Sequence, residues 1–361
     1  GRSARRRRRM LRVSQLHFTY EGEASEAVGG VSFMVHKGRT LGVLGRNECG
    51  KTTLAKLLLG QLTPSAGSVQ IDGKPLPPEP LQPAVALSRR LLLLSVVVTA
   101  ILARIRWEWF LLAWEAGVYA LLLLLGAMEA GRTLREKLDR SQHQSKPGWA
   151  SSRARAAGLA YISSEHNAAQ EMDPHLTIEA AISQQMPPMS HAARRREVLA
   201  ALQVSGFQMY TNSGQPTGNP ETYLADGVTL GQCSGGQRHL IFILSVLASR
   251  PTILIADEML CGLDMDRQAS VLTMLQRLQA RTGMCILFMS VDLAPISIMS
   301  HDIAFMHDGC FIEVSPAHTL VESPQKIQTK SYINDCLQLE KNSRGKNLRN
   351  VFLTGESIFD L

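Results

Sequence analysis

Gly45-Arg46-Asn47-Glu48-Cys49-Gly50-Lys51-Thr52 fits the pattern G-x-x-x-x-G-K-[ST]. An apolar run, Thr40-Leu41-Gly42-Val43-Leu44, precedes it, and a helical run beginning Thr53-Leu54-Ala55-Lys56-Leu57-Leu58-Leu59 follows. A glycine-rich turn from strand into helix lines up backbone N–H groups at the positive end of the helix dipole, which suits phosphate. Lys51 adds a point charge for the β- and γ-phosphates, and Thr52 a hydroxyl for Mg²⁺. The spacing therefore predicts an α/β fold with a nucleotide on this loop. A glycine-rich turn without a ligand is the alternative, and it requires lysine, threonine and both flanking elements to coincide by chance.

A second constellation narrows the class. Ser234-Gly235-Gly236-Gln237 opens a long apolar run that ends at Ser249-Arg250-Pro251. Ile253-Leu254-Ile255-Ala256-Asp257-Glu258 then reads as a buried strand ending in two carboxylates. Carboxylates at that end of a strand stand where open α/β sheets bind ligands. Asp257 is the candidate for holding Mg²⁺, and Glu258 the candidate for orienting or deprotonating an attacking water. A solvated turn is the ordinary reading of Asp-Glu after a strand. The serine–glycine motif 23 residues before Asp257 and the loop upstream argue against it.

These residues resemble the ATP-binding-cassette (ABC) ATPases over most of the chain. The resemblance implies a P-loop nucleotide-binding domain with a RecA-like core, an antiparallel β subdomain and a helical subdomain. It implies that Tyr20, 25 residues before Gly45, stacks on adenine. It implies that Gly45 to Thr53 hold the phosphates, so that Arg46, Asn47, Glu48, Cys49 and Thr53 join Lys51 and Thr52 around ATP. Thr52 and Asp257 become the Mg²⁺ residues, and Glu258 the catalytic one. Ser234, Gly235, Gly236 and Gln237 match the signature motif, which in the family contacts the γ-phosphate of ATP bound to the opposite subunit. Gly262-Leu263-Asp264 looks like the loop that couples the two sites of such a dimer.

Within the family the chain is most similar to the peptide and nickel importers. Met259 replaces their proline after the carboxylate pair. Phe305 to Glu313 resembles their strand pair, and Glu322-Ser323-Pro324-Gln325 with Lys330-Ser331-Tyr332 resembles the passage after it. Phosphonate-uptake ATPases share much of this pattern. The implied partners are transmembrane permease subunits and a second cassette, the implied site is peripheral on the cytoplasmic face of the inner membrane, and no nucleic acid is expected.

Two departures bear on hydrolysis. Ser164 stands where the family places a glutamine after the strand at 158–162, and Val291 stands where a histidine contacts the γ-phosphate. Valine has no side-chain hydrogen bond to offer. Cys233 replaces the usual signature leucine, a milder change. The family function is ATP hydrolysis coupled to transport; the alternative is a hydrolysis-impaired regulatory or structural cassette beside an active partner.

Composition supports one large globular core. The chain has 361 residues, 45% of them hydrophobic, and a formal charge of +7. Arg2, Arg5 to Arg9 and Arg12 match that excess, so the basic balance belongs to one arm and is weak evidence for nucleic acid. Six scattered cysteines without a C-x-x-C pair argue against a metal cluster or a disulfide framework. Cys49, inside the loop, is a candidate for alkylation that blocks nucleotide.

Residues 1–10 are expected as a disordered basic tail, 11–317 as the nucleotide-binding domain, and 318–361 as a polar, mostly helical or disordered C-terminal tail. The segment 85–150 is extra: more than 80 residues separate strands that the family joins in about 25. It holds two apolar runs, Leu91 to Ala103 and Phe110 to Met128, joined by Arg104-Ile105-Arg106-Trp107-Glu108-Trp109. This predicts an inserted hydrophobic helical hairpin. A hairpin that dips into or contacts membrane partners, a buried helical subdomain, and an insertion without a role all remain open.

Overall fold

A computed structural model describes residues 10–75, 157–163, 172–205, 207, 209–210, 216–217 and 219–344. The expected hairpin at 85–150, the basic tail, Ser164 and the last residues of the chain lie outside them.

Strand β1 (Met10–Phe18) buries Leu11, Val13 and Leu16. The step from two residues to three marks a bulge: pairing with β2 (Val28–His36) shifts between Val13 and Leu16, and Gln15 takes a φ of 44°. The extra residue returns Leu16 to the inner face, which strict alternation would have turned toward water. β1 also pairs antiparallel with β4 (Ala66–Ile71), which pairs with the short β5 (Lys74–Pro75). The resulting antiparallel sheet has the order β2-β1-β4-β5.

The second sheet is mostly parallel. β3 (Thr40–Leu44), β6 (Leu159–Ser163), β9 (Ile253–Asp257) and β10 (Cys285–Ser290) are buried at every residue, as strands covered on both faces must be. β11 (Asp302–His307) runs parallel to β3, and β12 (Cys310–Pro316) closes the edge antiparallel, giving the order β12-β11-β3-β10-β9-β6. A two-stranded ribbon, β7 (Met209–Tyr210) with β8 (Pro216–Thr217), stands apart from both sheets.

Helix α1 (Lys51–Leu58) follows β3 and stops one residue short of the apolar run's last leucine, Leu59, because Gly60 turns left-handed (φ 69°) just past its end. Between β6 and β9 the chain is helical: α2 (Ile178–Ser183), α3 (His191–Val204), α4 (Pro220–Ala225) and α5 (Gly235–Ala248). Side chains of Thr177, Ser190, Asn219 and Ser234 cap their starts. After β9 come α6 (Met265–Thr282), α7 (Leu293–Met299), α8 (Ala317–Glu322) and α9 (Ile327–Arg344).

The core has two halves, one on each face of the parallel sheet. Leu54, Leu58, Leu11, Val31 and Val35 join Val43, Ile255, Leu287 and Met289, so α1 and the antiparallel sheet cover one face. Ile241, Leu244, Val271, Leu275 and Ile296 join Leu44, Ile162, Ala256 and Phe288 on the other. Gly42 is required at that second face, since a Cβ there would run into Ile296 and Ser300. The segment expected as a polar tail from 318 is helical as far as Arg344, and Leu320, Tyr332 and Ile333 are buried in the core.

Candidate nucleotide site

Parallel register brings the site together. Ser290 pairs with Leu44, Met289 with Asp257, and Ser163 with Asp257. The phosphate loop, the two carboxylates and Ser290 therefore share the carboxyl edge of the sheet, where β3 lies between β10 and β11.

The loop turns through two left-handed residues, Glu48 (φ 66°) and Gly50 (φ 105°). Gly50 accepts that conformation without strain, and a Cβ there would strike the Ala27 carbonyl. Gly50 caps α1 and brings no side chain to its first N–H groups, which leaves them for an anion. Lys51 is buried; its Nζ donates to the carbonyls of Gly45 (2.8 Å) and Arg46 (2.9 Å) and lies 3.7 Å from Glu258 Oε1.

Asp257 Oδ2 accepts from Thr52 Oγ1 at 2.9 Å and from the Tyr161 hydroxyl at 3.2 Å. This all-oxygen pairing of a hydroxyl with a carboxylate suits Mg²⁺, which takes one or two protein oxygens and fills its shell with phosphate and water. Glu258 follows in a left-handed conformation (φ 51°), its N–H bonded to Met289 O at 3.0 Å. Its Oε2 accepts from Ser290 Oγ at 3.2 Å, while Oε1 is buried and accepts no hydrogen bond among the described residues. Burial raises the carboxyl above the ordinary range and the Asp257 charge adds to this, against the opposing pull of Lys51 and Ser290. A carboxylate so placed is a better proton acceptor than an exposed one.

Tyr20 stands beside the loop, its hydroxyl 3.2 Å from Thr53 Oγ1 and its ring edge-on to Phe18 at 4.9 Å. Ser234 and Gln237 bond each other in a capping box: Ser234 Oγ accepts from Gln237 N at 3.3 Å, and Gln237 Oε1 from Ser234 N at 2.8 Å. That box leaves the glycine pair at the exposed start of α5, with nothing close to Gly235. His239, one turn later, holds the Met259 carbonyl at 2.7 Å and so ties this helix to the residue after Glu258. Asp264 caps α6 and pairs with Arg267 at 3.3 Å, and a Cβ on Gly236 would sit 3.0 Å from the Arg267 guanidinium.

One expectation changes. Cys49 is buried, and burial pushes its thiol up, which suppresses the reactive thiolate; Cys261 is the exposed cysteine among the described residues. His301, ten residues after Val291, accepts from Thr40 N at 3.0 Å and directly precedes β11, so it serves the sheet. Sequence reading missed Ser290 and Tyr161. Ser290 ends the fully buried β10 and Tyr161 lies within the fully buried β6, and it is the parallel register with β9 that brings both to the carboxylates.

A solved structure of the ATP-binding cassette MJ0796, dimeric and bound to ADP and phosphate, superposes with a TM-score of 0.51 at 14% identity, covering 85% of this chain and 98% of that one. The profile of a family described as ABC transporter matches residues 28–96. The chain has the fold of an ATP-binding cassette. Over 336 residues the chain is 26% identical to a probable peptide ABC transporter ATP-binding protein of Sinorhizobium fredii, spanning 90% of this chain and 71% of the relative. An oligopeptide transport ATP-binding protein of Lactococcus lactis is 34% identical over 119 residues, 33% of this chain and 37% of that protein. Among the described residues, no helix is long and apolar enough to cross a membrane.

Proposed function

We propose that this chain is the ATP-binding, ATP-hydrolysing subunit of a transporter, of the kind that drives peptide uptake. The observation that carries the reading is the meeting of Lys51, Thr52, Asp257 and Glu258 at one sheet edge, from two segments over 200 residues apart in sequence. The similarity to peptide-transport ATP-binding proteins supports the substrate class.

In this reading the loop N–H groups and Lys51 take the β- and γ-phosphates, and Tyr20 stacks on the base. Thr52 and Asp257 hold Mg²⁺, which when bound neutralises phosphate charge. Glu258 orients the attacking water and draws off its proton, a role suited to its raised basicity. Ser234 to Gln237 of a second cassette close over the γ-phosphate. The domain runs over 11–317, and it works from the cytoplasmic face of the membrane against permease subunits. Val291 leaves the γ-phosphate without the histidine contact, so turnover is slower than the fold alone would allow.

Phosphate release by the purified chain, alone and with a partner cassette, tests this beside Glu258→Gln and Lys51→Ala. Glu258→Gln is expected to lower kcat by roughly 10²–10⁴-fold while ATP still binds. Lys51→Ala is expected to weaken ATP binding by about 3 kcal/mol, roughly a hundredfold. A parent chain that binds ATP tightly, yet never turns it over with or without a partner, would establish the alternative of a nucleotide-binding regulatory cassette.

A further inference from the structure

Helix α9 reaches the carboxylate side of the nucleotide site through Tyr332. The Tyr332 hydroxyl donates to the Val291 carbonyl at 2.7 Å. That carbonyl belongs to the same peptide unit as the Asp292 N–H, which donates to Ser290 Oγ at 3.0 Å. Ser290 Oγ in turn donates to Glu258 Oε2 at 3.2 Å. A peptide unit is planar and stiff, so an acceptor bond on one side and a donor bond on the other fix a single orientation. With Asp292 N–H occupying a lone pair of Ser290 Oγ, the hydroxyl proton is left to point at the carboxylate.

The end of this relay is well anchored. The Tyr332 ring is buried, 5.2 Å from the ring of Phe305, and the Arg46 guanidinium lies over it at 5.9 Å. Arg46 also pairs with Asp335 at 3.0 Å, one turn along the same helix, though both partners are exposed and the pair itself contributes little. Before α9, the buried Glu313 carboxylate of β12 accepts the N–H groups of Gln325 (2.8 Å) and Lys326 (3.0 Å), which fixes where the helix begins. Burial pushes the Tyr332 phenol up, so it keeps its proton and remains a donor at any working pH.

We infer that Tyr332 is a positioning residue for hydrolysis: through the Val291–Asp292 peptide and Ser290 it sets the rotamer of the Glu258 carboxylate. The residue stands in the Lys330-Ser331-Tyr332 stretch, to which the phosphate chemistry assigns no role. Where the γ-phosphate lacks a histidine contact, the orientation of Glu258 carries more of the rate, and the C-terminal helix supplies it. The inference rests on the proposed ATPase, but its first readout does not.

Tyr332→Phe in the full chain keeps the ring against Phe305 and Arg46 and removes only the hydroxyl. Hydrogen exchange of the peptide spanning 288–294, without nucleotide, should show faster exchange at the Asp292 amide, while the helices and central strands stay protected. Steady-state hydrolysis should show kcat lowered about tenfold with KM within about twofold, as for a contact felt only in the transition state. Unchanged exchange at Asp292 overturns the inference, as does a uniform loss of protection across the chain. So does an unchanged kcat in an active parent. If the parent does not hydrolyse ATP, the proposed function fails by itself, and the exchange measurement still decides whether Tyr332 holds this peptide.

Discussion

Glu258 is where the cost of function can be measured on a single side chain. Its folded-state pKa is raised, chiefly by burial, so the fold favours the protonated form. That contribution is fully present below the unfolded pKa and is lost as pH rises through the folded one. At neutral pH the ionised carboxylate is therefore a burden on the ligand-free chain. Glu258→Gln should raise resistance to urea at about pH 8, and the advantage should shrink by about pH 5. A constant advantage across that range, or none, would show that the carboxyl titrates normally. The same residue also shows how far a sequence can be read at this scale. Lys51, Thr52, Asp257 and Glu258 were legible because each lies in a contiguous motif whose flanking strand announces the sheet edge. Ser290, Tyr161 and Tyr332 were not, since their roles depend on a register and a docking angle that no local pattern encodes.

At the scale of elements, local chemistry decides the ends and burial decides the middles. Runs such as Ile253 to Ala256 and Ile286 to Met289 are apolar without alternation, so their place at the centre of the parallel sheet could be expected from sequence. The bulge at Gln15 and the early stop of α1 could not, because each depends on a single left-handed residue meeting its neighbours. Helix α5 shows how structure and function share one cap. Ser234 closes a reciprocal box with Gln237, and this same turn leaves Gly235 with open space beside it. Ser234→Ala should cost about 1 kcal/mol of stability through the lost cap, read as a shift of the denaturation midpoint. A variant as stable as the parent would mean that the box contributes nothing to this helix. The C-terminal segment was expected to be polar and mostly helical or disordered; it is helical over Ile327–Arg344, and Tyr332 and Ile333, adjacent on that helix, bury part of it.

For the molecule as a whole, the division of labour follows from the two sheets. The parallel sheet gathers phosphate loop, carboxylates and Ser290 at one edge, and the antiparallel sheet sets Tyr20 beside that edge. The helical region between β6 and β9 carries the serine–glycine turn at an exposed helix start, away from the capping duties of any other element. In the proposed function such a chain holds one half of a closed site and displays the other half outward, so that two copies, or two related cassettes, would enclose one triphosphate. Sedimentation of Glu258→Gln with Mg²⁺ and ATP is the most direct test, since slow hydrolysis preserves whatever complex ATP forms. The account predicts dimers with ATP, monomers with ADP, and monomers under both conditions when Lys51→Ala or Ser234→Arg is added; a chain that stays monomeric with saturating ATP, both alone and beside a partner cassette, would contradict it.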